Sequence, residues 1–166
     1  RMEPKNLLKK YDLMVILSGP EPQRGILEEL LKREVLRFDG KVVFIKGIVE
    51  KEQKKEEIEN ITYYNYMNSR QLEQTFNESE IVLSRSGYTT IMDLAVLQKK
   101  AFFIPTPGQY EQEYLAKKLK NNNLVPYVEQ DNFRIEALAE IKNYQGLPIV
   151  NTAFDWTDLL KVFDDK

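Results

Sequence analysis

The sequence predicts an α/β fold in which a parallel sheet is flanked by helices. Three observations carry that expectation. Short, dense apolar runs recur along the chain, as strands buried on both faces require. Between them, apolar residues fall at three- and four-residue spacing, which marks helices with one buried face. The runs end on Ser, Gly or Pro, where strands give way to turns.

Leu13-Met14-Val15-Ile16-Leu17 is the first run, closed by Ser18-Gly19-Pro20. From Gly25 the spacing becomes helical, with Ile26, Leu27, Leu30, Leu31 and Val35 on one stripe. Val42-Val43-Phe44-Ile45 is the second strand, closed by Gly47. The segment from Glu50 to Glu59 is almost entirely charged and mixes both signs, which predicts a solvated loop or exposed helix. Ile61-Thr62-Tyr63-Tyr64-Asn65-Tyr66 is rich in β-formers, and a helix starts near Ser69 with Leu72 and Phe76 inward. Ile81-Val82-Leu83 is the next strand, followed by a helix carrying Ile91, Leu94, Ala95 and Leu97. Ala101-Phe102-Phe103-Ile104 ends at Pro105-Thr106-Pro107-Gly108, and a helix runs from about Glu111 to Asn121. Near the end, Trp156, Leu159, Leu160 and Phe163 share one helical face, which predicts a docked amphipathic helix over 153–166. Strands alternating with helices imply crossovers between parallel neighbours.

Composition narrows the chemistry. A chain of 166 residues suits one domain, and 42% apolar residues with 18 aromatics indicate a folded core. A net charge of −2 gives no electrostatic reason for nucleic-acid or membrane-surface binding. There is no cysteine and no histidine, which excludes disulfides, thiol nucleophiles, zinc ribbons and imidazole bases. No apolar run approaches the roughly 18–20 residues of a membrane span. Arg1-Met2-Glu3-Pro4 is followed by no signal-peptide core, and a cytoplasmic setting is expected.

In a parallel α/β sheet, ligands bind beyond the carboxyl ends of the strands. Three exits have compositions suited to that. Ser18-Gly19-Pro20-Glu21-Pro22-Gln23-Arg24 offers a glycine for close approach, although such turns also serve as plain connections. Ser84-Arg85-Ser86-Gly87-Tyr88-Thr89-Thr90-Ile91-Met92-Asp93 places free N–H groups at a helix start, which attract phosphate. Asp93 sits one and a half turns further on, where a carboxylate could accept from two ribose hydroxyls; helix capping by Ser86 or Thr89 explains the same residues less ambitiously. Pro105 to Glu113 makes a rigid loop leading to Gln109, Gln112 and Glu113, whose polar side chains suit sugar hydroxyls. Neither GxGxxG nor GxxxxGK[ST] occurs, so dehydrogenase and P-loop readings fall away.

Taken in order, Leu17-Ser18-Gly19, the block from Ser84 to Asp93, and Ile104-Pro105 through Glu111-Gln112-Glu113 resemble the C-terminal domain of family 28 glycosyltransferases. The resemblance runs from about Leu13 to Val125 and is nearest to the lipid-linked N-acetylglucosaminyltransferases of peptidoglycan synthesis. It implies a Rossmann-like sheet forming the C-terminal half of a GT-B enzyme, with residues 1–152 as the nucleotide-sugar-binding domain. Ser86, Gly87 and the backbone of Tyr88, Thr89 and Thr90 would meet the donor diphosphate. Asp93 would bind the ribose, Gln112 the transferred sugar, and the backbone at Met67 the uracil edge. Ser18 and Gly19 would face the same cleft. Two departures stand out: Asp93 occupies a position where the family usually has Glu, and Glu113 replaces the second glutamine of a pair.

The resemblance further implies a UDP-sugar donor, no cofactor and no metal. The inverting reaction would use an acceptor and base from an acceptor-binding N-terminal domain or a partner subunit. The chain is therefore expected to be a fragment or split subunit, inactive alone, with any membrane association coming through the missing half. Two alternatives share these features: a non-catalytic nucleotide-sugar-binding subunit, and a sugar-nucleotide 2-epimerase of the same fold, whose ligand residues include His and Arg positions not found here.

Overall fold

A computed structural model describes residues 2–149 of the chain. Six strands form one sheet: β1 (Tyr11–Ile16), β2 (Val42–Ile45), β3 (Lys55–Ile58), β4 (Ile61–Tyr64), β5 (Ser79–Ser84) and β6 (Lys100–Phe103). Four helices accompany them: α1 (Gln23–Val35), α2 (Ser69–Asn77), α3 (Tyr88–Leu97) and α4 (Tyr110–Asn121). The strand order is β3-β4-β2-β1-β5-β6. All neighbours are parallel except β3, which runs antiparallel along the β4 edge.

The apolar runs form the central strands because both faces of the sheet are covered. Met14, Val43 and Val82 pack on one side with Phe76, Ile91, Leu94 and Leu115 of the helices. Leu13, Val15, Phe44 and Leu83 pack on the other with Leu27, Leu31 and Val35 of α1. Burying each such side chain contributes about 1.5–3 kcal/mol. Alternate residues of β1 thus serve two cores, and that is why the run shows no polar alternation. On the α1 side the layer is completed by short 3-10 segments at Gln130–Asn132 and Ile135–Asn143, which bring in Ile135, Leu138 and Ile141.

The predicted alternation and most boundaries agree with these elements. The charged stretch differs: it contains β3, all four residues of which are exposed. Its pairing is dictated by β4, with Lys55 opposite Tyr64 and Glu57 opposite Thr62. Charges there keep an open edge from recruiting further strands, so no apolar alternation was available to reveal it. The amphipathic helix expected over 153–166 lies outside the described residues. Among the described residues, no helix is long and apolar enough to cross a membrane.

Candidate functional site at the carboxyl edge of the sheet

The strand order reverses beside β1. The chain moves outward through β2 and β4, then returns by α2 to place β5 on the other flank of β1. Loops leaving β1 and β5 therefore diverge at the carboxyl ends, the position at which open parallel sheets take ligands. The first loop and the start of α3 both lie at this edge. Ser18 and Gly19 are exposed, Gly19 with φ +99°, a conformation that glycine adopts without strain. The loop after β2 lies against it so closely that a Cβ on Gly47 would sit 2.3 Å from the Leu17 carbonyl oxygen.

Helix α3 starts without a side-chain cap. Its N-cap is Gly87, in extended conformation at φ −74°, and neither Ser86 nor Thr89 caps it. Among the described residues, the backbone N–H groups of Tyr88, Thr89 and Thr90 find no acceptor. Tyr88 and Thr89 are exposed, so those donors face open solvent at the positive end of the helix dipole. Gly87 needs no positive φ, and a Cβ there would meet nothing within 4 Å. The fold itself does not call for glycine at this position; what its absence of a side chain leaves clear is the approach to the three N–H groups.

Behind this helix start lies a rigid support. Arg85 is 2% exposed, and its guanidinium donates to the carbonyls of Ile104, Pro105 and Gln23 at 3.2 Å each. It thus ties the ends of β5 and β6 to the start of α1. Burial pushes this guanidinium down to about 10, so it remains cationic at neutral pH. The Ser86 hydroxyl is buried and donates to the Gln112 backbone carbonyl at 2.8 Å. The Gln112 side-chain oxygen accepts from both the backbone N–H and the hydroxyl of Thr106, at 2.9 and 2.8 Å. That leaves the Gln112 amide nitrogen with no hydrogen bond among the described residues. Glu113 accepts the Gly108 N–H at 2.8 Å, which holds the loop leading into α4.

Asp93 completes the set on α3. It is partly buried, and burial raises its carboxyl above the usual range. Among the described residues it has neither a hydrogen bond nor an ion pair. A carboxylate in that condition is unfavourable for the fold and open to a ligand's hydroxyls. Met67 follows β4 at the same edge. Its sulfur accepts the Thr75 hydroxyl at 3.3 Å, and its backbone N–H and carbonyl are unused among the described residues.

The expected residues thus sort into two layers. Ser18, Gly19, Gly87, Tyr88, Thr89, Thr90, Asp93 and Met67 offer free groups at the edge, while Ser86, Glu113 and the Gln112 oxygen bond within the protein. Sequence reasoning assigned no part in the site to Arg85, Thr106 or Gly47. Arg85 carried a signal, a lone cation between two serines directly after an apolar strand; Thr106 and Gly47 carried none that distinguishes them from ordinary turn residues. Among the described residues, no group of three or more His, Cys, Asp or Glu is placed to hold a metal ion.

Residues 22–143 match the glycosyltransferase family 28 C-terminal domain. The chain belongs to that family. A related protein is the UDP-N-acetylglucosamine--N-acetylmuramyl-(pentapeptide) pyrophosphoryl-undecaprenol N-acetylglucosamine transferase of Sulfurihydrogenibium sp., 26% identical over 127 residues. The match covers 75% of this chain and 35% of that relative, so the chain spans about a third of its length. Among solved structures, MurG of Acinetobacter baumannii superposes with a TM-score of 0.55 at 16% identity, over 79% of this chain and 40% of that one. The spinosyn forosaminyltransferase SpnP gives 0.57 at 14% identity, over 85% and 40%. These likenesses establish the GT-B type of sheet for this family 28 domain.

Proposed function

We propose that this family 28 domain binds the UDP-sugar donor of an inverting glycosyltransferase that transfers a hexosamine, N-acetylglucosamine being favoured by the relative's substrate. The observation that carries this reading is Asp93: a half-buried carboxylate with no hydrogen bond or ion pair among the described residues, on the helix whose first N–H groups are uncapped. A nucleoside diphosphate has the matching groups, anionic oxygens for the helix start and two vicinal hydroxyls for the carboxylate. Met67 would read the uracil edge with its free backbone groups, and the Gln112 amide nitrogen would donate to the sugar.

In the transfer step, an acceptor hydroxyl attacks the anomeric carbon as the bond to the diphosphate breaks, and the configuration inverts. The electron pair leaves on the β-phosphate oxygen. The N–H groups of Tyr88, Thr89 and Thr90 and the α3 dipole stabilise that charge, aided by low dielectric once the cleft is closed. None of the residues at this edge is placed as a base. The acceptor and the base belong to an N-terminal domain or partner subunit, and the domain alone transfers no sugar. On this reading the site works in the cytoplasm, and any membrane contact comes through the acceptor side.

The test is thermal. UDP and UDP-N-acetylglucosamine should raise the melting temperature of this chain, and ADP should not. The shift should vanish in Asp93→Ala. An equal response to ADP, or an undiminished shift in the variant, would sink the assignment.

A further inference from the structure

At the opposite end of the sheet, where β5 and β6 begin, a cavity of about 500 Å³ is lined by lysines. The extended segment before β1 closes one wall, held by Asn77, which accepts the Lys5 N–H and donates to the Glu3 carbonyl. Lys5, Lys9, Lys99 and Lys100 all line this space, with Glu80 the one carboxylate among its lining residues.

Two of these cations are held without a carboxylate. Lys9 donates to the Asn77 carbonyl and Lys99 to the Ser79 carbonyl, each at 2.8 Å. Lys5 and Lys10, by contrast, are ion-paired with Glu73 and Glu78. Lys99 is 8% exposed. Burial first, and then the adjacent Lys9 ammonium, push its amine down to about 8. Lys9 caps the carbonyl end of α2, and Lys99 serves a carbonyl at the start of β5. The second ammonium beside the first adds repulsion that the protein's own groups leave largely uncompensated.

We propose that this cavity binds a phosphate group between Lys9 and Lys99, with Lys100 at its rim. The phosphate belongs either to a small soluble ligand or to an anionic lipid headgroup. An anion there relieves the repulsion, so binding raises the Lys99 pKa and takes up a proton. Affinity is then highest below the Lys99 titration point and falls above it. Lys9 opposes Lys99 protonation throughout that range and Glu80 favours it, while Lys5, which faces the same space, is paired with Glu73 and Lys100 stands exposed at the rim.

The experiment titrates the whole chain and its two lysine variants with inorganic phosphate by calorimetry, and separately with phosphatidylglycerol vesicles. Saturable phosphate binding that weakens about tenfold in Lys9→Gln and in Lys99→Met supports a soluble ligand, tenfold being one lost charge-assisted hydrogen bond. Vesicle binding lost in the same variants, with no saturable phosphate binding, supports the headgroup. Lys9→Gln alters an exposed side chain and keeps the test valid should Lys99→Met misfold. No binding of either probe overturns the proposal, as does binding that both variants retain or that is unchanged about one pH unit above the Lys99 titration point.

Discussion

The Ser86 hydroxyl and the Gln112 backbone carbonyl are joined by a 2.8 Å hydrogen bond that ties the end of β5 to the first turn of α4. The uncapped start of α3 and the Gln112 amide therefore keep a fixed spacing. Ser86→Ala should reduce stability by about 1 kcal/mol, a fall of roughly 2–4 °C for a chain of this size. It should also weaken UDP-N-acetylglucosamine more than UDP, because the sugar side of the site loses its anchor. Equal weakening of both ligands would remove the positioning role.

Two glycines should behave in opposite ways. Gly47→Ala forces a side chain into φ +74° and against the Leu17 carbonyl, so it should destabilise by at least about 1–2 kcal/mol. Gly87→Ala meets no atom and no strain, and its stability should change by less than about 0.5 kcal/mol. UDP binding should nevertheless fall severalfold in Gly87→Ala. Melting curves with and without UDP distinguish the two.

Asp93 links stability to pH with a definite sign. Its carboxyl is raised by burial, so the folded chain holds that proton more tightly than the unfolded chain does. Ionisation of Asp93 thus disfavours the fold above its folded titration point, and that penalty is relieved as pH falls through it. Asp93→Asn should raise the ligand-free melting temperature at neutral pH, with the gain fading in acid. UDP affinity should fall on the order of 10- to 100-fold, as expected for losing hydrogen bonds to a charged group. In the native chain it should weaken as pH drops through the Asp93 titration point. A variant that gained stability without losing affinity would mean Asp93 contacts no ligand.

Arg85→Lys tests the clamp. Lysine has a single ammonium and lacks the planar fork that reaches the Ile104, Pro105 and Gln23 carbonyls together. The substitution should destabilise by roughly 2–3 kcal/mol. Denaturant unfolding measures it directly, and a loss near zero would show that the three contacts are not what holds the loops.

The alternation of strands and helices was legible because the central runs Leu13–Leu17 and Val42–Ile45 face two cores, and their unbroken apolarity is a local signal. The three strand exits were legible for a similar reason, since turn chemistry is written in adjacent residues. β3 was not, because Lys55–Ile58 is a strand only by virtue of Tyr63 and Tyr64 beside it. The division of labour within the site was also hidden. Ser86 and Thr89 look equivalent in sequence, yet one bonds to a carbonyl 26 residues away while the other remains exposed at the helix start. Long-range pairing decides that, and sequence spacing carries no trace of it.

The central claim, that the carboxyl edge at the α3 start receives the donor, is tested most directly by mapping UDP-N-acetylglucosamine onto the backbone amides by NMR. The account predicts perturbations concentrated at Ser18, Gly19, Met67, Gly87 to Thr90, Asp93 and the Gln112 side chain. Perturbations confined to other parts of the surface, or none at saturating ligand, would contradict it.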